Sequence, residues 1–188
     1  MRGARCLAAL GLATAVAAWT GAARAVEREH SLGIDLGPAV LVVADKGSPD
    51  IGGTVGLHYS YGVSDAFNVV ADAGASLVAL NENVVDSSTP RTRPTMLFDA
   101  NAGLAYVLDV LRWVPYGAVE LGGYAMRGGT IDSVHWLPGV VLAVGLDYRI
   151  NRSWSVGVNA RQTMFVFEMS TYPSLTQVLG RFEYVWGW

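Results

Sequence analysis

Few residues in this 188-residue chain are equipped for chemistry. His58 and Ser60 stand two apart, a spacing that on a strand puts a base and a hydroxyl on one face. Arg161, Arg181 and Glu183, with Glu120 and Asp99 elsewhere in the chain, could form an ion-pair network. A buried guanidinium is tolerated only when its donors meet carboxylates or water, so these residues are expected to meet one another. Arg91 and Arg93 lie in the segment 81–94 with Glu82 and Asp86, where a loop would offer them to phosphate groups or a partner. No metal-ligand spacing, phosphate-binding glycine loop or nucleophile motif occurs, and His30, His58 and His135 are isolated. No metal and no cofactor are expected.

The elements that must position these residues begin after an export signal. Arg2 and Arg5 precede an apolar run from Cys6 to Trp19, too short to cross a bilayer as a helix. Ala23-Arg24-Ala25 then supplies small residues at the cleavage positions. Residues 1–25 therefore read as a signal peptide removed after Ala25, leaving 26–188 as one domain. The only cysteine leaves with it, as do three of the 13 basic residues, so 10 basic against 16 acidic residues remain, a formal charge of −6. Such a surface cannot hold nucleic acid.

From Val26 onward there is no sustained helical stripe, only about eight stretches of strict alternation parted by turn signals. In the last, Val178, Phe182, Tyr184, Trp186 and Trp188 share a face opposite Gln177, Arg181 and Glu183. The preceding stretch sets Trp154, Val156, Val158 and Ala160 against Ser155, Gly157, Asn159 and Arg161, and earlier stretches keep this parity. The first, roughly Leu32 to Val43, is apolar on both faces in its far half, so its register is the least defined. A soluble β-domain would show Lys and Glu on its polar face. Here that face is mostly Gly, Ala, Ser, Asn and Asp, which fits the inside of a narrow barrel whose apolar face meets lipid. Only helices and closed barrels satisfy every backbone amide in hydrocarbon. The expected fold is all-β: an eight-stranded antiparallel transmembrane β-barrel.

Short connections at 62–66, 109–112 and 151–153 alternate with longer ones at 45–50, 81–94, 126–138 and 168–174. Short periplasmic turns and longer outer loops are usual in such barrels, and both termini then lie in the periplasm. Tyr59, Tyr61, Phe67, Tyr106, Trp113, Tyr148, Trp154, Trp186 and Trp188 all lie near a short turn or the C-terminus, on the apolar parity. They read as one interfacial girdle.

The alternation, the turn asymmetry, Trp113-Val114-Pro115-Tyr116 and the C-terminal stretch Gly180 to Trp188 resemble the small outer-membrane barrels of outer-membrane protein A and X type. The resemblance covers essentially all of Ser31 to Trp188 and implies a Gram-negative outer-membrane location, an envelope-structural or weak channel role, and no catalysis. It also implies that the C-terminal strand is read by the barrel-assembly machinery, although Trp188 stands where Phe is more usual. Outer-membrane lipid and lipopolysaccharide are the expected surroundings, and the protein is expected to be a monomer.

Counting inward from the short turns sets Glu120, Arg161 and Arg181 at similar depth, and a cross-lumen network of these with Glu183 and Asp99 is expected. It would fill the lumen, which in an eight-strand barrel is just wide enough for side chains. Alternatively it would gate a small pore, favouring cations because six acids on the inner parity, Asp35, Asp72, Asp99, Glu120, Asp147 and Glu183, face three arginines, Arg149, Arg161 and Arg181. A loop-mediated binding role is a further reading. The least favoured is a lipid A hydrolase: His58-Tyr59-Ser60 superficially resembles the His-x-Ser of that family, but both residues point into the lumen and Tyr61 follows where Asn is expected.

Overall fold

The structure is a computed structural model that describes residues 28–44, 49–79, 93–109 and 112–187. The signal segment, Arg91 and Trp188 lie outside these. Eight strands follow one another: β1 (His30–Val42), β2 (Asp50–Gly62), β3 (Phe67–Ala79), β4 (Met96–Val107), β5 (Trp113–Gly128), β6 (Ile131–Arg149), β7 (Trp154–Phe165) and β8 (Ser174–Trp186). Each pairs antiparallel with the next, and β1 closes on β8 from His30↔Trp186 to Val42↔Ser174. Closure leaves no long sheet edge in the hydrocarbon, as the alternation requires.

The parity read from sequence governs burial. Along β8, Leu175, Gln177, Leu179, Arg181, Glu183 and Val185 are buried, while Val178, Phe182 and Tyr184 are exposed. The outward face is built of large apolar side chains, Leu121 reaching 67% exposure. In water such a surface would aggregate, whereas in lipid it costs nothing.

Three features depart from the sequence expectation. The first strand resolves its ambiguity by sending Ala39, Leu41 and Val43 inward and Pro38, Val40 and Val42 outward, starting at His30 rather than Leu32. Second, 126–138 is not a long loop. The β5–β6 ladder continues to Gly128↔Ile131 with a register shift after Met126, and Gly128 and Gly129 turn the chain at positive φ (79° and 66°). Pro138 pairs with Gly123 on β5 but turns its carbonyl toward β7, accepting from Val166 N at 3.2 Å. That bond lies just beyond the last ladder pair, Gly139↔Phe165, so the missing proline N–H falls at a ladder end. Third, the lumen is not polar throughout, for apolar clusters share both of its ends. Leu41, Leu97, Val141, Phe165, Leu175 and Tyr172 belong to an apolar cluster at the long-loop end. A smaller cluster around Val70, Val107 and Val114 lines the short-turn end. A barrel this narrow packs its interior as a core, and apolar side chains fill it wherever no ion pair must be housed.

Candidate functional site: a cross-lumen ion-pair network

Between the two apolar clusters, charged residues from opposite walls meet. Arg181 on β8 faces Asp35 on β1 across the closing ladder and donates from Nε and Nη2 to the two carboxylate oxygens, both at 2.7 Å. Its Nη1 donates to the Tyr116 hydroxyl at 2.9 Å, and the guanidinium lies 5.6 Å from the Tyr116 ring centre. Tyr116 has room because it lies over Gly145, where a Cβ would come within 2.4 Å of the ring. Arg161 on β7 donates to Glu120 on β5 at 2.6 Å and lies 2.9 Å from Asp72 on β3. Asp72 also pairs with His58, its neighbour across the β2–β3 ladder, through Nδ1 at 2.8 Å. His58 Nε2 is 3.7 Å from Glu183, which accepts hydrogen bonds from Ser155 at 2.7 Å and Ser31 at 3.3 Å. Paired this way, each arginine has carboxylate company in a low-dielectric interior, where an unpaired charge would be costly.

Of the residues singled out by sequence, Glu120 and Arg161 are brought into direct contact. Arg181 and Glu183 lie 3.8 Å apart, but the principal carboxylate of Arg181 is Asp35. Asp99 stands aside: Asn101 donates to it at 2.7 Å, and it makes no ion pair among the described residues. Sequence reasoning placed Asp35, His58 and Asp72 on the inner face without assigning them to the network. Direct opposition of Asp35 with Arg181 and of His58 with Asp72 is a register fact, and register becomes certain only once the turns are fixed. Tyr116, which follows Pro115 in β5, gave no polar signal at all.

Arg93 is a correction. It is not a loop contact open to phosphate but is buried, its guanidinium paired with Asp50 and its backbone bonded to Thr130. Desolvation at the barrel mouth is tolerated because the guanidinium and the Asp50 carboxylate are buried as a hydrogen-bonded pair. His58 and Ser60 both face the lumen, and Ser60 hydrogen-bonds Ser31 at 2.8 Å rather than His58.

The described girdle residues all lie at the end that holds the short turns, on the outward face. Phe67 meets Tyr106 with ring centres 5.3 Å apart, Trp113 meets Tyr148 at 4.8 Å, and His30 stacks on Trp186 at 5.4 Å. His30 and Tyr184, which contacts Trp154 at 5.0 Å, join this ring although sequence reading left them out.

The sequence matches the family described as outer membrane protein beta-barrel domain over residues 6–172. The chain belongs to that family. It is therefore an outer-membrane barrel of the Gram-negative type. Among solved structures it is similar to Neisserial surface protein A (NspA), at 13% identity and a TM-score of 0.63, covering 83% of this chain and 96% of that one. The N-terminal β-barrel domain of Pseudomonas aeruginosa OprF is similar at 11% identity and 0.57, covering 83% and 97%. Ail, the attachment invasion locus protein of Yersinia pestis, is similar at 13% and 0.57, covering 85% and 99%. At such identities the likeness speaks for the fold. No curated protein matches the chain by sequence.

Proposed function

We propose that this protein is a sealed, non-catalytic outer-membrane barrel with a structural role in the envelope. The observation that carries this reading is the apolar cluster at the long-loop end, where Leu41, Leu97, Val141, Phe165 and Leu175 are wholly buried above the ion pairs. A conducting lumen needs a continuous polar path, and this cluster interrupts it. The network below it ties β1, β2, β3, β5, β7 and β8 together, which favours a brace over a gate. Planar-bilayer recording of the refolded protein tests the reading. A flat baseline is expected, and sustained cation-selective openings that Glu120→Ala alters would replace the brace with a gate.

The hydrolase alternative loses support from the buried placement of His58 and Ser60, away from lipid. Lipid A acylation is expected to stay unchanged when the protein is overexpressed. Export with removal of 1–25, assembly through the C-terminal strand, a monomeric state, and contact with lipid and lipopolysaccharide complete the proposal.

A second reading has one observation in its favour. Trp136 is 71% exposed and Phe167 80% exposed at the long-loop end, beyond the band the other strands share. Large apolar side chains there suit recognition at the outer surface. Loss of binding to whole cells on Trp136→Ala and Phe167→Ser, in whichever adhesion assay the wild type is positive, is what this reading expects.

A further inference from the structure

The outward apolar surface is taller on one flank than on the rest of the barrel. On β2 the outward row runs from Tyr61 in the girdle to Ile51, ten residues away. On β4 it runs from Tyr106 to Met96, again ten. At the usual rise and tilt each row covers about 25 Å, the height of the apolar band. The row on β6 does not stop there. Above Tyr148 every alternate residue up to Trp136 and Val134 is apolar, and the first polar one is Asp132. Trp136 is twelve residues from Tyr148, about 30 Å along the axis. Beside it on β5, the row from Trp113 meets its first polar side chain only at Arg127.

The chain leaving β7 adds to the same flank. Val166 donates its backbone N–H to Pro138 at 3.2 Å, and His135 pairs with Glu168 at 2.8 Å. Phe167, between the two, is thereby held alongside β6. Val134, Trp136, Val166 and Phe167 are all exposed. No polar side chain separates Trp136 from Leu142 and Val144, which face hydrocarbon on the same row. This continuity favours lipid over a protein partner as what covers the flank.

We infer that Trp136 and Phe167 form a one-sided anchor in the headgroup layer of the outer leaflet. Amphipathic rings settle at that depth. A row about 5 Å longer than the band is accommodated at modest cost by a lean of the barrel toward this flank. The anchor presupposes the outer-membrane placement of the barrel. It leaves both side chains in lipid instead of free for a partner.

Fluorescence quenching of the barrel refolded into dioleoylphosphatidylcholine vesicles tests this. The only cysteine is Cys6, so a Cys6→Ser background accepts single labelled cysteines. Trp136→Cys and Phe167→Cys carry a bimane label, with Leu142→Cys and Asp132→Cys as references. Labels at 136 and 167 should lose most of their emission to phosphatidylcholine bearing a nitroxide on its headgroup and little to aqueous iodide. The label at 132 should be open to iodide, and the one at 142 shielded from it. Because the label is itself apolar, the native indole is read separately, as the difference between wild-type emission and that of Trp136→Ser. That difference spectrum should be blue-shifted from indole in water and quenched by the same lipid. Iodide access at 136 and 167 equal to that at 132, or a difference spectrum of indole in water, with 142 still shielded, would overturn the anchor and leave both side chains to a partner. Iodide access at 142 as well would remove the membrane placement along with it.

Discussion

Arg181 is the residue on which the interior depends most. Its fork meets Asp35 with two hydrogen bonds of 2.7 Å, and both side chains are buried. Removing one partner leaves the other charged and desolvated, a loss of about 3–5 kcal/mol. Arg181→Ala should therefore lower the unfolding free energy in urea by about that amount. The Asp35→Ala/Arg181→Ala double variant should lose less than the sum of the two single variants, since it strands neither member of the pair. Additive losses would show that the pair is not coupled. Gly145→Ala makes a separate point at the same scale, because the new Cβ meets the Tyr116 ring. Overpacking of this kind costs about 1–3 kcal/mol, and the same unfolding measurement should register it unless Tyr116 is truncated too.

Among the elements, β5 shows how one strand serves two solvents. Glu120 on its inner face pairs with Arg161, while Val119 beside it is exposed. Val119 is six residues from Trp113, about 15 Å along the axis at the usual rise and tilt, near the middle of an apolar band about 25 Å tall. Val119→Arg should cost about 2–4 kcal/mol in refolding into vesicles, whereas Asp132→Arg, exposed on β6 near the outer turn, should be neutral. The β4–β5 turn adds a pH effect. Burial holds the Asp109 carboxyl above its ordinary pKa, with Arg149 opposing. A raised acid pKa in the folded state carries no cost at low pH, where both states are protonated. The cost develops as pH rises through the unfolded value and persists above the folded one. Asp109→Asn should thus stabilise the barrel at neutral pH and leave it unchanged in acid, a contrast that paired unfolding curves would reveal.

For the whole molecule, the governing fact is that an eight-strand lumen has room for side chains and little else. The outer apolar cluster and the central ion pairs together make the barrel a filled rod with a shallow cup at one end. Tyr172→Ala alone should not open it, because Leu97, Phe165 and Leu175 remain beneath. Replacing Leu41, Phe165 and Leu175 together by glycine should produce current, and the reversal potential in a salt gradient should show cation preference from Asp72 and Glu120.

The architecture of this molecule was determined by its sequence almost unaided. Period-two alternation in β8, where Arg181 and Glu183 oppose Phe182 and Tyr184, assigns every side chain to a face, and small polar residues on one face imply a barrel turned toward lipid. Alternation, however, reports parity and not partnership. It put Asp35, His58 and Asp72 inside without revealing that Arg181 lands on Asp35 or that His58 lands on Asp72. It could not orient the far half of β1, where both faces are apolar, or show that Arg93 folds inward onto Asp50. Those outcomes depend on strand register, closure of β1 on β8 and the space left by facing glycines, which are properties of the closed barrel and not of any one strand.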